Sequence, residues 1–214
     1  MKILKIISVA APCALLAGLA GSTGKPAELR WPVHLDRAIS SSFCEYRDGR
    51  FHAGIDVRTF GRQGVPCVAL ADGWISRIRA GSRGYGKALH LTIGDSLQVV
   101  YGHLSEYIPA LEDTLYAAQM IDTTYAVDFR PPAGRFRVQA GDTIAWSGMT
   151  GTTAPHVHLE LRDMQDRPID PFTTGLALPD RLHPEVSRVV FVPLSARARV
   201  AGRCLPWGVP TRRA

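Results

Sequence analysis

Short apolar or alternating runs, two of them closed by turn-forming pairs, recur through the middle of this chain and restrict it to a mostly β fold. Phe51–Arg58 alternates cleanly. Val65–Ala71 is apolar and stops at Asp72-Gly73, a hairpin signal, before Trp74–Ile78. Lys87–Ile93 alternates again, ends at Gly94-Asp95, and Leu97–His103 follows. Tyr125–Phe129, Arg135–Val138, Thr143–Trp146 and His156–Arg162 complete the set. Pro109–Met120 is the one helix expected: Pro109 suits a first turn, and Leu111 and Leu115 share a face. With 20 Gly and 15 Pro among 214 residues, a helical bundle is disfavoured. The length allows one domain of ordinary size with flanking segments.

The net charge of +6 raises the question of nucleic acid, and its distribution answers it. Lys2 and Lys5 carry +2 at the start, and seven Arg against Asp180 and Glu185 carry +5 after residue 174. The body between them is −1, so it has no basic excess to pair with phosphates and no nucleic-acid partner is expected.

Residues 1–20 read as a signal peptide. Lys2 and Lys5 form a positive start, Ile6–Leu19 is almost wholly apolar, and Gly18-Leu19-Ala20 offers small residues for cleavage. The apolar run falls short of the ~18–20 residues a membrane-spanning helix needs. Export to the periplasm or beyond is expected whether or not the segment is cut, with membrane attachment only through it if uncut. A lipoprotein role for Cys13 is disfavoured, because Cys13 sits inside the apolar run. In such a compartment Cys44 and Cys67 could be bridged, or could be buried and reduced; the spacing leaves both open. Residues 21–40 are a linker with a lead-in strand, and 41–174 form the main domain. Residues 175–214 are a basic tail in which Val186–Leu194 is strand-like with no later strand expected to pair with it. The expectation there is truncation or disorder.

Two of the alternating runs put chemistry on their polar face. In Phe51–Val57 the odd positions are apolar while His52, Gly54 and Asp56 project together. In His156–Leu161, Val157, Leu159 and Leu161 face a core and His156 and His158 share the other side. Neutral imidazoles and a carboxylate suit Zn²⁺, and three protein ligands leave the fourth tetrahedral position open, as catalytic sites do. No cysteine pair stands at zinc-finger spacing. Gly54, lacking a side chain, would leave room for a bound ion.

His52-x-x-x-Asp56, Tyr101-Gly-His103-Leu-Ser105 and Pro155-His156-Val-His158-Leu-Glu160 resemble the signature of lysostaphin-type zinc metalloendopeptidases. Gly64-Val65-Pro66, Ala71-Asp72-Gly73, Gly84-Tyr85-Gly86, Gly141-Asp142 and Ser147–Gly151 match in order, so the resemblance spans about Ser41 to Pro171. It implies a small antiparallel β-sheet domain of the duplicated hybrid motif type, with one short helix and a groove over the sheet. It implies one Zn²⁺ per chain on His52, Asp56 and His158, and unligated catalytic imidazoles at His103 and His156. Tyr46 matches a tyrosine that helps hold the reaction intermediate. The substrate class implied is the peptide part of bacterial peptidoglycan. Cys44 stands where glycine is usual, and residues 107–139, longer than in small members, are expected to wall the groove.

The implied chemistry is a zinc-activated water attacking the scissile carbonyl. No His-Glu-x-x-His motif supplies a glutamate base, so His103 and His156 share the acid/base and oxyanion tasks. Gly81–Ala88 nearly spells a phosphate-binding loop, but Ala88 replaces the Ser or Thr that Mg²⁺ needs, and no nucleotide is expected. Ala145–Met149 lacks the glycines of a serine nucleophile elbow. The remaining rival is a non-catalytic relative that regulates or localises another wall enzyme. Such proteins lack some site residues, whereas all five are present here. His34, His90 and His183 lie outside any paired geometry, and His90 reads as solvated.

Overall fold

The computed structural model describes residues 29–179, 186, 188–193, 195, 197–199, 202–204 and 207–210; the expected signal segment lies outside them. Four short strands come first: β1 (Ile39–Ser41), β2 (Tyr46–Arg47), β3 (Arg50–Phe51) and β4 (Ile55–Arg58). β5 (Pro66–Val68) precedes three longer strands, β6 (Gly73–Ala80), β7 (Lys87–Ile93) and β8 (Leu97–Tyr107). After α1 (Pro109–Asp122) come β9 (Val127–Phe129), β10 (Arg137–Val138), β11 (Thr143–Ser147), β12 (His156–Arg162) and β13 (Pro168–Ile169). The sheet order is β1-β4-β12-β8-β7-β6-β10, with every neighbouring pair antiparallel. This is the mainly antiparallel β domain with one helix that the sequence called for.

β12 lies between β4 and β8, so the two histidine-bearing runs are brought side by side. Ile55, Val57, Val157, Leu159, Leu161, Val99, Leu89 and Leu91 bury one face of the sheet. β5, paired with β11, helps close that face: Tyr101 Oη donates to Val68 O at 3.0 Å and accepts from Leu70 N at 3.2 Å. Leu111 and Leu115 anchor α1, as their spacing required.

Three local expectations fail for identifiable reasons, and the open question of a Cys44–Cys67 bridge is answered. Asp72-Gly73 does not turn a hairpin, because β5 pairs with β11 and not with β6. Asp72 Oδ1 instead accepts from Ala140 N at 2.8 Å, and Gly73 packs on the Thr92 carbonyl, where a Cβ would lie 2.2 Å from the oxygen. The run Phe51–Arg58 breaks after Phe51. His52 N donates to Glu45 O and Cys44 N donates to His52 O, both at 2.9 Å, which curls this stretch and leaves Phe51 68% exposed. His90 is buried with no partner for Nε2, since β7 is covered on both faces; burial pushes its pKa down to about 4. Cys44 and Cys67 are unbridged; Cys44 is exposed, and burial raises the Cys67 thiol to about 12.

The chain divides into one unit ending at Ala177 and another beginning at Leu178. In the second, β14 (Arg188–Phe191) pairs antiparallel with β15 (Trp207–Pro210), so the strand expected to lack a partner has one. Among the described residues no helix is long and apolar enough to cross a membrane.

Candidate metal centre and active site

The register of β12 against β4 sets His158 opposite Asp56, and that of β12 against β8 sets His158 opposite Gly102. His52 enters from the loop before β4. Three atoms meet here. His158 Nδ1 lies 2.9 Å from Asp56 Oδ1 and 3.0 Å from His52 Nε2, and His52 Nε2 lies 3.2 Å from Asp56 Oδ1. All three residues are buried.

The opposite atom of each residue is held from outside. His52 Nδ1 is 2.8 Å from Ser42 O, and a carbonyl only accepts, so Nδ1 carries the proton and Nε2 is bare. Asp56 Oδ2 accepts from Arg47. His158 Nε2 is 2.7 Å from Glu160 Oε1 and donates to it. Donor atoms bound to one tetrahedral Zn²⁺ at ~2.0–2.2 Å stand about 3.3–3.6 Å apart. The three atoms here need to open by only a few tenths of an ångström, and two imidazoles with a carboxylate are the donor set zinc prefers. The residues fit a metal ion.

Burial alone would raise the Asp56 pKa, but the surrounding imidazoles of His156, His158 and His52 outweigh it and hold the carboxyl far below its usual range. Burial likewise opposes charge on His158, and the bonds to Asp56 and Glu160 win, raising its pKa. Burial would raise Glu160, yet His158, Tyr85 and Arg162 bring it down to about 2.

His103 and His156 stand beside this cluster with ring centroids 4.7 Å apart. His103 Nδ1 donates to Thr150 O at 2.8 Å and His156 Nδ1 to Ala154 O at 2.9 Å, which leaves Nε2 of both rings free to accept. His156 Nε2 is 3.5 Å from Asp56 Oδ1. Burial pushes the His103 pKa down to about 4, so the ring is neutral near pH 7. His103 owes its place to a bulge. Between the pairs Leu89–Tyr101 and Lys87–Leu104, β8 has one residue more than β7. Tyr101 and Leu104 both reach the core, and His103 takes up the surplus at φ 61°.

A groove of about 730 Å³ opens over the cluster. Its sides come from Arg47, Arg50 and Phe51, from Gly84-Tyr85 and from residues 151–154. The stretch expected as a wall, 107–139, contributes no lining residue; α1 packs against β9, β6 and β8 instead. Tyr46 also stays outside the groove lining. It is 71% exposed, with its ring edge-on to Phe51 at 6.2 Å. Gly54 does not make room for an ion, because β12 occupies that space: a Cβ there would lie 2.2 Å from Leu159 O.

Sequence reasoning left four contributors unassigned. Glu160 and Tyr85 appeared only as pieces of motifs. Arg47 and Arg162 gave no signal, because only the three-dimensional pairing shows that each meets a buried carboxylate.

No family model matches the chain. An uncharacterized metalloprotease of Haemophilus influenzae is 30% identical over 154 residues, covering 69% of this chain and 27% of that protein. The DD-carboxypeptidase/endopeptidase Mpg of Neisseria meningitidis serogroup B is 29% identical over 132 residues, 61% of this chain and 24% of its own length. The chain thus spans about a quarter of the curated relatives it matches. Among solved structures, a zinc containing peptidase from Vibrio cholerae matches with TM-score 0.50 and 26% identity, covering 71% of this chain and 40% of that one. In sequence and in fold, this chain is similar to metallopeptidases.

Proposed function

We propose that this protein is an exported zinc-dependent endopeptidase that hydrolyses peptide cross-links of bacterial peptidoglycan. The supporting observation is the convergence of His52 Nε2, Asp56 Oδ1 and His158 Nδ1 within 3.2 Å, beside two further imidazoles on one groove. One Zn²⁺ per chain, held on those atoms, would supply Lewis acidity and would bring the pKa of a bound water down to about 7. His103 and His156 each present a bare Nε2 to the groove. One would remove the proton of the attacking water and return it to the leaving amine, while the other, after taking up a proton at Nε2 from solvent, would donate to the oxyanion. The groove admits an extended peptide between the β2–β3 hairpin and residues 151–154. Tyr46 meets the intermediate only if that hairpin shifts on substrate binding. The similarity to a metalloprotease and a DD-carboxypeptidase/endopeptidase supports the reaction class.

The experiment is metal analysis alongside cleavage of cross-linked muropeptides. Wild type should hold about one zinc, and His158→Ala and Asp56→Ala should lose tight binding. His103→Ala and His156→Ala should keep the zinc and lose about 10²–10⁴-fold in hydrolysis. Stoichiometric zinc in both ligand variants would overturn the metal assignment. A folded, zinc-loaded wild type that cleaves nothing would make the chain a regulator.

A further inference from the structure

We propose that Glu160, backed by Tyr85, is a positioning residue that fixes the orientation and tautomer of His158 and thereby sets how tightly the site holds its metal. This rests on the metal reading above and goes beyond the three ligands.

Glu160 follows His158 by two residues on β12, on the same face, and is 1% exposed. A carboxylate so buried is costly unless its oxygens are bonded. Here they are. Oε1 accepts from His158 Nε2 at 2.7 Å and from Tyr85 Oη at 2.6 Å, and Oε2 accepts from Arg162 Nε at 2.6 Å. The side chain is hemmed in by Gly54, just ahead of β4, as well, since a Cβ there would lie 2.8 Å from Glu160 Cγ.

Tyr85 adds a second constraint. Its ring is tilted against that of His158, with centroids 5.4 Å apart. The loop that carries it is fixed at Gly86, whose φ is 61° and where a Cβ would lie 2.3 Å from Thr150 O. His158 is therefore held at Nε2 by Glu160 and on its ring face by Tyr85, which leaves Nδ1 as the atom turned to His52 and Asp56. Outer partners of this kind fix a ligand's tautomer, and their loss typically costs 10–100-fold in metal affinity. The other outer partners differ. His52 leans on a backbone carbonyl, which no substitution removes, and Asp56 on a part-exposed arginine.

The test is the Kd for Zn²⁺ of the full chain, measured in competition with a chromophoric chelator, with thermal melting of each metal-free variant as the control for folding. Glu160→Leu should weaken binding 10–100-fold. Glu160→Gln, which keeps an oxygen to accept from Nε2, should recover part of the loss. Tyr85→Phe should weaken binding less than Glu160→Leu. Adding it to Glu160→Leu should cost little more, because Tyr85 acts through Glu160. A folded Glu160→Leu protein that binds as tightly as wild type overturns the inference alone. Should that variant fail to fold, unchanged affinity in both Glu160→Gln and Tyr85→Phe overturns it equally. A wild type that takes up no zinc brings down the metal reading and this inference with it.

Discussion

At the scale of single residues, the unusual groups are imidazoles kept from water. His90 has its pKa pushed down to about 4 by burial, with Arg77 and Arg79 acting in the same direction, and no partner meets its Nε2. Below its ordinary value of 6.5 the unfolded chain takes a proton there that the folded chain refuses. Stability should therefore fall as pH drops from about 6.5 to about 4 and level off below, by about 3 kcal/mol for this group. His90→Gln should remove that share of the pH dependence. Urea midpoints at pH 7 and pH 4.5, with chelator throughout, measure it, and equal slopes for the two proteins would refute it. His103, lowered the same way, leaves a remainder. The sequence showed that His90 lay opposite the core residues of β7. It could not show that this second face is also covered, because the covering groups come from other strands.

At the scale of elements, the site depends on how closely β4 can approach β12. Gly54 is the point of contact, with the Leu159 carbonyl where a Cβ would be. Gly54→Ala should destabilise the fold by about 2–3 kcal/mol through overpacking. It should also weaken metal binding, because it pushes Asp56 away from His158. Gly81→Ala is the control: its Cβ would meet nothing nearer than 3.8 Å and should cost little. Thermal melts and zinc affinity of the two variants check this, and equal behaviour would contradict it. Most strand positions and the site-bearing face of β12 were legible because a period of two needs only local sequence. The β5–β11 pairing, the break after Phe51 and the β8 bulge were not. The first is decided by a partner far along the chain, as is Ala140 meeting Asp72, the second by backbone bonds of His52 to Cys44 and Glu45, and the third by the register of β8 against β7. The four site histidines and Asp56 were nameable from motifs, whereas their outer partners emerged only when the strands were laid side by side.

At the scale of the whole molecule, the sheet unit takes in the first residues of the expected basic tail and ends at Ala177. Leu29 bridges Leu176, both buried, and Arg37 Nη1 donates to Ala177 O at 3.0 Å. A chain ended after Ala177 should accordingly melt cooperatively and bind zinc as the full chain does. Ending it before Pro171, which is also buried, should lower the melting temperature clearly. Calorimetry of both shortened chains decides, and a full-length requirement for folding would disprove the division.

The left-handed backbone at His103 carries a consequence for inheritance. A residue with a side chain held at φ 61° pays about 1–2 kcal/mol that glycine does not. The backbone there favours glycine, so the histidine is kept by its Nδ1 bond to Thr150 O and by its chemistry. A lineage released from the need to hydrolyse could drift to glycine at this position with its sheet, groove and metal ligands intact. Inert descendants of such an enzyme would be cheap to make and hard to tell from their parent by shape.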